Sequence, residues 1–127
     1  MCILSFQQSE NGLFLIANRE EDFRRPLHGP FWCEDYTIAG PDYGMRGQHD
    51  KAGSWFGYNK YGLVVTLTNR DDGDHKNINE SVGRLLVELL ATKDNVDIAL
   101  MHCVTELTTK NYRPVNFVIA DLSLIHI

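Results

Sequence analysis

The sequence predicts an α+β fold built on antiparallel sheets. Two pairs of short apolar runs, each joined by a polar turn segment, lie between Cys2 and Asn69. The hydrophobic pattern then becomes helical from Asn79 to Leu107, and an extended run returns at Val115 to Asp121,. A chain of 127 residues, 43% of them hydrophobic and 10% aromatic, is long enough for one domain with a real core. The predicted domain is residues 1–127.

The first pair is Cys2 to Phe6 and Leu13 to Asn18, linked through Gln7 to Gly12 with Asn11-Gly12 as the turn signal,. Leu13, Leu15 and Ala17 share one face of their strand, and Phe14 and Ile16 share the other. Strands apolar on both faces are expected inside a sheet covered on both sides. Residues 19–50 are rich in Pro, Gly, charge and aromatics and show no sustained period, so a long loop is expected there. Its aromatics, Phe23, Phe31, Trp32, Tyr36 and Tyr43, fit a lid or pocket wall, or equally a surface cover packed on the sheet.

The second pair, Gly53 to Asn59 and Leu63 to Asn69, surrounds Lys60-Tyr61-Gly62, and its second member alternates β-branched residues in a strand pattern,. Arg70 to Asp74 is a polar turn that ends the sheet. Val82, Leu85, Leu86, Leu89 and Leu90 fall on one helical stripe, which predicts a helix from Asn79 to Ala91,. Asn95 suits the cap of a second helix whose stripe is Val96, Ala99, Leu100, Cys103, Val104 and Leu107,. Two consecutive helices after four strands should cover one face of the sheet.

A net charge of −5 without a basic stripe argues against nucleic acid as a partner. No apolar run approaches the roughly 20 residues of a membrane span, and the start does not read as a signal peptide. Cytoplasmic residence is the default expectation. Three cysteines, Cys2, Cys33 and Cys103, form no CxxC pair, so free thiols are expected.

Cys2 is the residue of greatest chemical interest. Removal of Met1 would leave it with a thiol and a free α-amine on one carbon, a nucleophile beside its own base. A small buried hydrophobe in an ordinary strand is the plain alternative.

Further segments occur with it in a fixed order: Ala17 to Pro26 with Asn18-Arg19-Glu20-Glu21 inside it, Ala39-Gly40-Pro41-Asp42, Gly53 to Asn59, and Leu67-Thr68-Asn69. Together they resemble the NRDE family, also called the transport and Golgi organisation protein family, over nearly the whole chain. The family's Asn-Arg-Asp-Glu is Asn18-Arg19-Glu20-Glu21 here, one methylene longer at Glu20.

The resemblance implies an N-terminal-nucleophile (Ntn) hydrolase-like, four-layer α-β-β-α fold. The family's domain continues past the apolar end Leu122 to Ile127, so the chain looks like its N-terminal half. Either the frame is truncated or the chain completes itself as a homo-oligomer by pairing with another copy. The implied catalytic set is Cys2 as nucleophile, Arg19 and Glu20 near the terminal amine and thiol, and Asn69 as oxyanion donor. Asn18, Glu21, Trp55 and Asn59 follow as ligand-binding residues, and mitochondrial or Golgi association is implied besides the cytoplasm. The plain alternatives are a surface pair at Arg19 and Glu20 and a turn residue at Asn69.

The five histidines show no metal-ligand spacing, so no metal site is expected, and no cofactor is required. The resemblance brings in haem as a ligand, for which His28, His49, Met45 and the aromatic loop are the available residues. Two functions follow. One is a cysteine amidase or acyltransferase acting on a C–N amide bond of a small-molecule substrate. The other is a non-enzymatic carrier of haem or an acyl-type ligand in intracellular trafficking and Golgi organisation.

Overall fold

Asn11-Gly12 turns the chain where the sequence signals it, and the two strands beside it pair along their full length. The computed structural model describes residues 3–43, 52–71 and 77–121. Strands β1 (Ile3–Ser9) and β2 (Gly12–Asn18) are antiparallel, with Ile3 opposite Asn18 and Phe6 opposite Leu15. They form a two-stranded sheet of their own. The expected covering on both faces is not found, since Phe6 and Phe14 are 63% and 64% exposed. The apolar side chains meet instead in cross-strand pairs such as Phe6 opposite Leu15,.

The second sheet has five antiparallel strands in sequence order: β3 (Phe31–Trp32), β4 (Tyr36–Ile38), β5 (Phe56–Asn59), β6 (Leu63–Asn69) and β7 (Val115–Asp121). The expected loop of residues 19–50 therefore contains two strands. They are two and three residues long, too short to display a period. The later strand pair and the strand at Val115 to Asp121 form where the sequence places them, with β5 starting at Phe56 and not at Gly53. The polar turn expected at Arg70 to Asp74 falls largely outside the described residues, as does the apolar segment from Leu122.

Helices α1 (Val82–Thr92) and α2 (Val96–Thr109) lie on one face of this sheet. The first begins later than expected because Ser81, not Asn79, accepts the helical N–H of Arg84. The second is capped as expected, with the Asn95 side chain accepting from Ile98 N at 3.0 Å,. Leu85, Leu86, Leu89 and Leu90 are buried against Ile38, Leu63, Val65 and Leu67. Only Ala99 and Cys103 are buried on α2, and Leu100 and Val104 are each 52% exposed. The stripe read from the sequence is thus wider than the face that packs.

Two glycines draw α1 close to the sheet. Ser54 N donates to Gly83 O at 3.0 Å, and a Cβ on Gly53 would stand 2.8 Å from the Gly83 carbonyl carbon. Helix and strand segment meet there backbone to backbone, which fixes the start of α1 beside Ser54 and Trp55. These layers make the fold α+β, consistent with the outer helical and inner sheet layers of an α-β-β-α arrangement.

Asn59 holds the far end of α1. Its Nδ2 donates to Leu90 O at 3.1 Å and Lys93 O at 2.7 Å, and its Oδ1 accepts from Tyr61 N and Leu63 N at 3.0 Å each. Asn59→Ala would strand these buried backbone groups and is expected to lower unfolding free energy by about 3 kcal/mol, read from urea denaturation. A loss near zero would show that water replaces the amide.

Burial pushes the Cys103 thiol from 9.0 up to about 11. Between those values the unfolded chain releases a proton that the folded chain retains, so stability is expected to fall as pH rises through that window. Urea midpoints at about pH 8 and about pH 10.5 should separate less in Cys103→Ala than in the native chain. Equal separation would assign the slope to other groups.

Candidate functional site

Arg19 leaves β2 and reaches the start of the second sheet. Its Nη2 donates to Asp42 Oδ2 at 2.7 Å and to Glu21 Oε2 at 3.2 Å. Arg25 approaches the same two carboxylates, donating from Nη1 to Glu21 Oε2 at 3.2 Å and from Nη2 to Asp42 Oδ1 at 3.1 Å. The Arg19 and Asp42 side chains are only 14% and 16% exposed. Two guanidiniums thus share two carboxylates, a charge-balanced cluster joined by charge-assisted hydrogen bonds,.

Asp42 is held from behind. Its backbone N donates to Gly53 O at 2.8 Å and its carbonyl accepts from Gly53 N at 2.7 Å. Since Gly53 also abuts Gly83, the ion cluster and the first turn of α1 face each other across an open pocket of about 460 Å³. Arg19, Glu21, Trp55 and Asn69 all line it, together with Leu67, Ser81, Arg84 and Arg113. Asn69 ends β6, opposite Val115 of β7. β2 and β6 lie in separate sheets, and the segment after β2 makes the junction.

Glu20 opens onto a neighbouring pocket of about 450 Å³, shared with Arg19, Glu21, Leu27, His28 and Trp55. A hydrogen bond with the chain's terminal amine, and then the charge of that amine, hold the Glu20 carboxyl below the ordinary carboxylate range,. Asn18 closes β2 opposite Ile3 and is exposed. It lines none of these pockets. Asn59 stands apart from them, its amide engaged with backbone at the end of α1. Cys2, Met45 and His49 lie outside the described residues, and His28 makes an edge-on contact with Tyr43 at 5.9 Å.

The aromatic segment does not act as one wall. Phe31, Tyr36 and Tyr43 line a third pocket, of about 610 Å³, on the helix side of the sheet. Phe23 and Trp32 are exposed to solvent. Among the described residues no group of three or more His, Cys, Asp or Glu side chains is arranged to hold a metal ion, and no helix is long and apolar enough to cross a membrane.

The same residues that build the pocket belong to a recognisable sequence pattern. A family model described as Transport and Golgi organisation 2 matches residues 1–127. The chain belongs to the Transport and Golgi organisation 2 family. No curated protein matches it.

Membership places the chain in a family named for transport and Golgi organisation, the NRDE family to which residues 18–21 pointed. In this member of the Transport and Golgi organisation 2 family, Asp42 and Arg25 are site residues that sequence reasoning left without a role. Both stood in the quoted segments, at the end of Ala39-Gly40-Pro41-Asp42 and just before Pro26. Their opposite charges were the available signal, though only the fold brings them together.

Asp42→Ala would leave two partly buried guanidiniums with one carboxylate between them. It is expected to cost about 1–3 kcal/mol, discounted for residual exposure, and to speed tryptic cleavage after Arg19 and Arg24. Cleavage at the native rate with an unchanged urea midpoint would show that the cluster does not anchor this segment.

Proposed function

We propose that this Transport and Golgi organisation 2 family member is a cysteine amidohydrolase or acyltransferase of the Ntn type, acting on a C–N amide bond through Cys2. The supporting observation is the pocket lined by Arg19, Glu21, Trp55 and Asn69, with Glu20 opening onto the pocket beside it. The β1–β2 register, with Ile3 opposite Asn18, is why residues following Asn18 stand beside the start of β1. In the full chain the terminal amine belongs to Met1, and removal of Met1 transfers it to Cys2.

In this reading the α-amine of Cys2 takes the thiol proton and the thiolate attacks the amide carbonyl. The Asn69 side-chain amide donates to the oxyanion. Collapse of the tetrahedral adduct breaks the C–N bond, and the ammonium returns the proton to the leaving nitrogen. Water, or an acceptor amine, then releases the acyl group from sulfur. Glu20 orients the amine, and the Arg19 charge favours the thiolate.

Intact mass and alkylation by iodoacetamide test the reading together. Met1 is expected to be absent, and Cys2 to react faster than exposed Cys33 and much faster than buried Cys103. Glu20→Ala is expected to slow Cys2 alkylation about tenfold while sparing Cys33. Asn69→Ala should leave alkylation unchanged, because no oxyanion forms in that reaction. Retained Met1, or Cys2 as the slowest thiol, would sink the enzymatic reading and leave the pocket to the carrier of haem or an acyl-type ligand.

A further inference from the structure

The pocket between β4 and α1 has no part in that chemistry. It offers a cavity of about 610 Å³, within the size range of small-molecule sites. Phe31, Tyr36, Ile38, Tyr43 and Val87 supply its apolar wall. Phe31 and Tyr43 remain 47% and 39% exposed, so aromatic surface that the fold itself does not bury faces a concavity. One described cation and one described carboxylate, Arg84 and Glu88, also line it.

The two charges are not equivalent. Glu88 Oε1 lies 3.0 Å from His102 Nε2 on α2, without the alignment of a hydrogen bond. That approach turns the carboxylate toward α2. Arg84 stands in the first turn of α1, which holds no acidic residue, and the helix field there favours negative charge. Arg84 also lines the pocket of Arg19 and Asn69. It is therefore the polar point at which the apolar cavity meets the charged one.

We propose that this cavity binds a small amphipathic anion, with its ring or chain against Phe31, Tyr36, Tyr43 and Val87 and its carboxylate at Arg84. The site does not depend on Cys2 reacting, so it stands or falls apart from the amidase reading. An apolar body alone would bind with little selectivity for charge. The shared arginine supplies the selectivity, because a charge-assisted bond at the mouth of an apolar cavity is stronger than one in open water.

The probe is 1-anilinonaphthalene-8-sulfonate, an aromatic body with one anionic group, titrated into the full chain and displaced by decanoate or by the neutral isostere decanol. Decanoate is expected to displace it about tenfold better than decanol. Arg84→Gln should remove that advantage and leave decanol unchanged. Val87→Trp, which fills the cavity, should abolish displaceable binding. Phe31→Ala, a truncation on an exposed edge strand, should weaken it if the Trp variant does not fold. Phe14→Ser on the exposed hairpin should have no effect. Equal displacement by the two competitors, insensitivity to Arg84→Gln, or loss of the signal in Phe14→Ser would overturn the proposal.

Discussion

Asp42 is the residue on which the arrangement of the pocket depends. Its side chain receives Arg19 and Arg25 from the segment after the hairpin, and its backbone pairs with Gly53 before β5. Gly53 in turn touches Gly83 of α1. One short path of contacts therefore joins the hairpin exit, the second sheet and the first helix. Ion pairs removed from water return little net stability, because desolvation offsets most of the attraction. What the cluster supplies is position, since each guanidinium has a carboxylate on either side and few alternative orientations.

The stability of the fold is concentrated elsewhere. Leu85, Leu86, Leu89 and Leu90 pack against Leu63, Val65 and Leu67 on the helix side of the sheet. The register puts Trp32, Thr37, Tyr58, Val64 and Ala120 together on the opposite side, where Trp32 and Tyr58 are exposed. Among the described residues the hairpin has no third strand, and a two-stranded hairpin is marginal alone. The firm half of the structure thus holds Trp55 and Asn69, while Arg19 and Glu20 belong to a half that depends on Asp42 for its placement. A change at Asp42 would separate the two halves of the pocket without unpacking the leucine core.

The long elements were legible because their signals are local. Asn95 caps α2 through a contact three residues away, and the β1–β2 turn follows from Asn11-Gly12 itself. β3 and β4 were not legible, since strands this short exist only through the pairing partners that the fold supplies. Leu100 and Val104 show the opposite error, where a helical stripe continues past the surface available to receive it. Asn59 was read for a ligand because it lies in a family segment. Its amide instead satisfies four backbone groups, a role that depends on Leu90 and Lys93 arriving from more than thirty positions away. The pocket residues Arg19, Glu21, Trp55 and Asn69 were named from the family pattern. The charge cluster that unites them was not, because its partners lie on separate segments.

The adjacent acids Glu20 and Glu21 show how a single side-chain length is accommodated. Glu21 faces Arg19 and Arg25, where its oxygen completes a neutral cluster. Glu20 opens onto the other pocket, its carboxyl held low by the hydrogen bonding and charge of the terminal amine. The family's pattern has Asp at this position, one methylene shorter than the Glu20 of this chain. A carboxylate beside an amine favours the ammonium form, and an ammonium beside a thiol favours the thiolate. In a chain beginning at Cys2, Glu20 would then act less by strengthening the base than by holding an ammonium–thiolate pair, with the proton kept where a leaving amine can receive it.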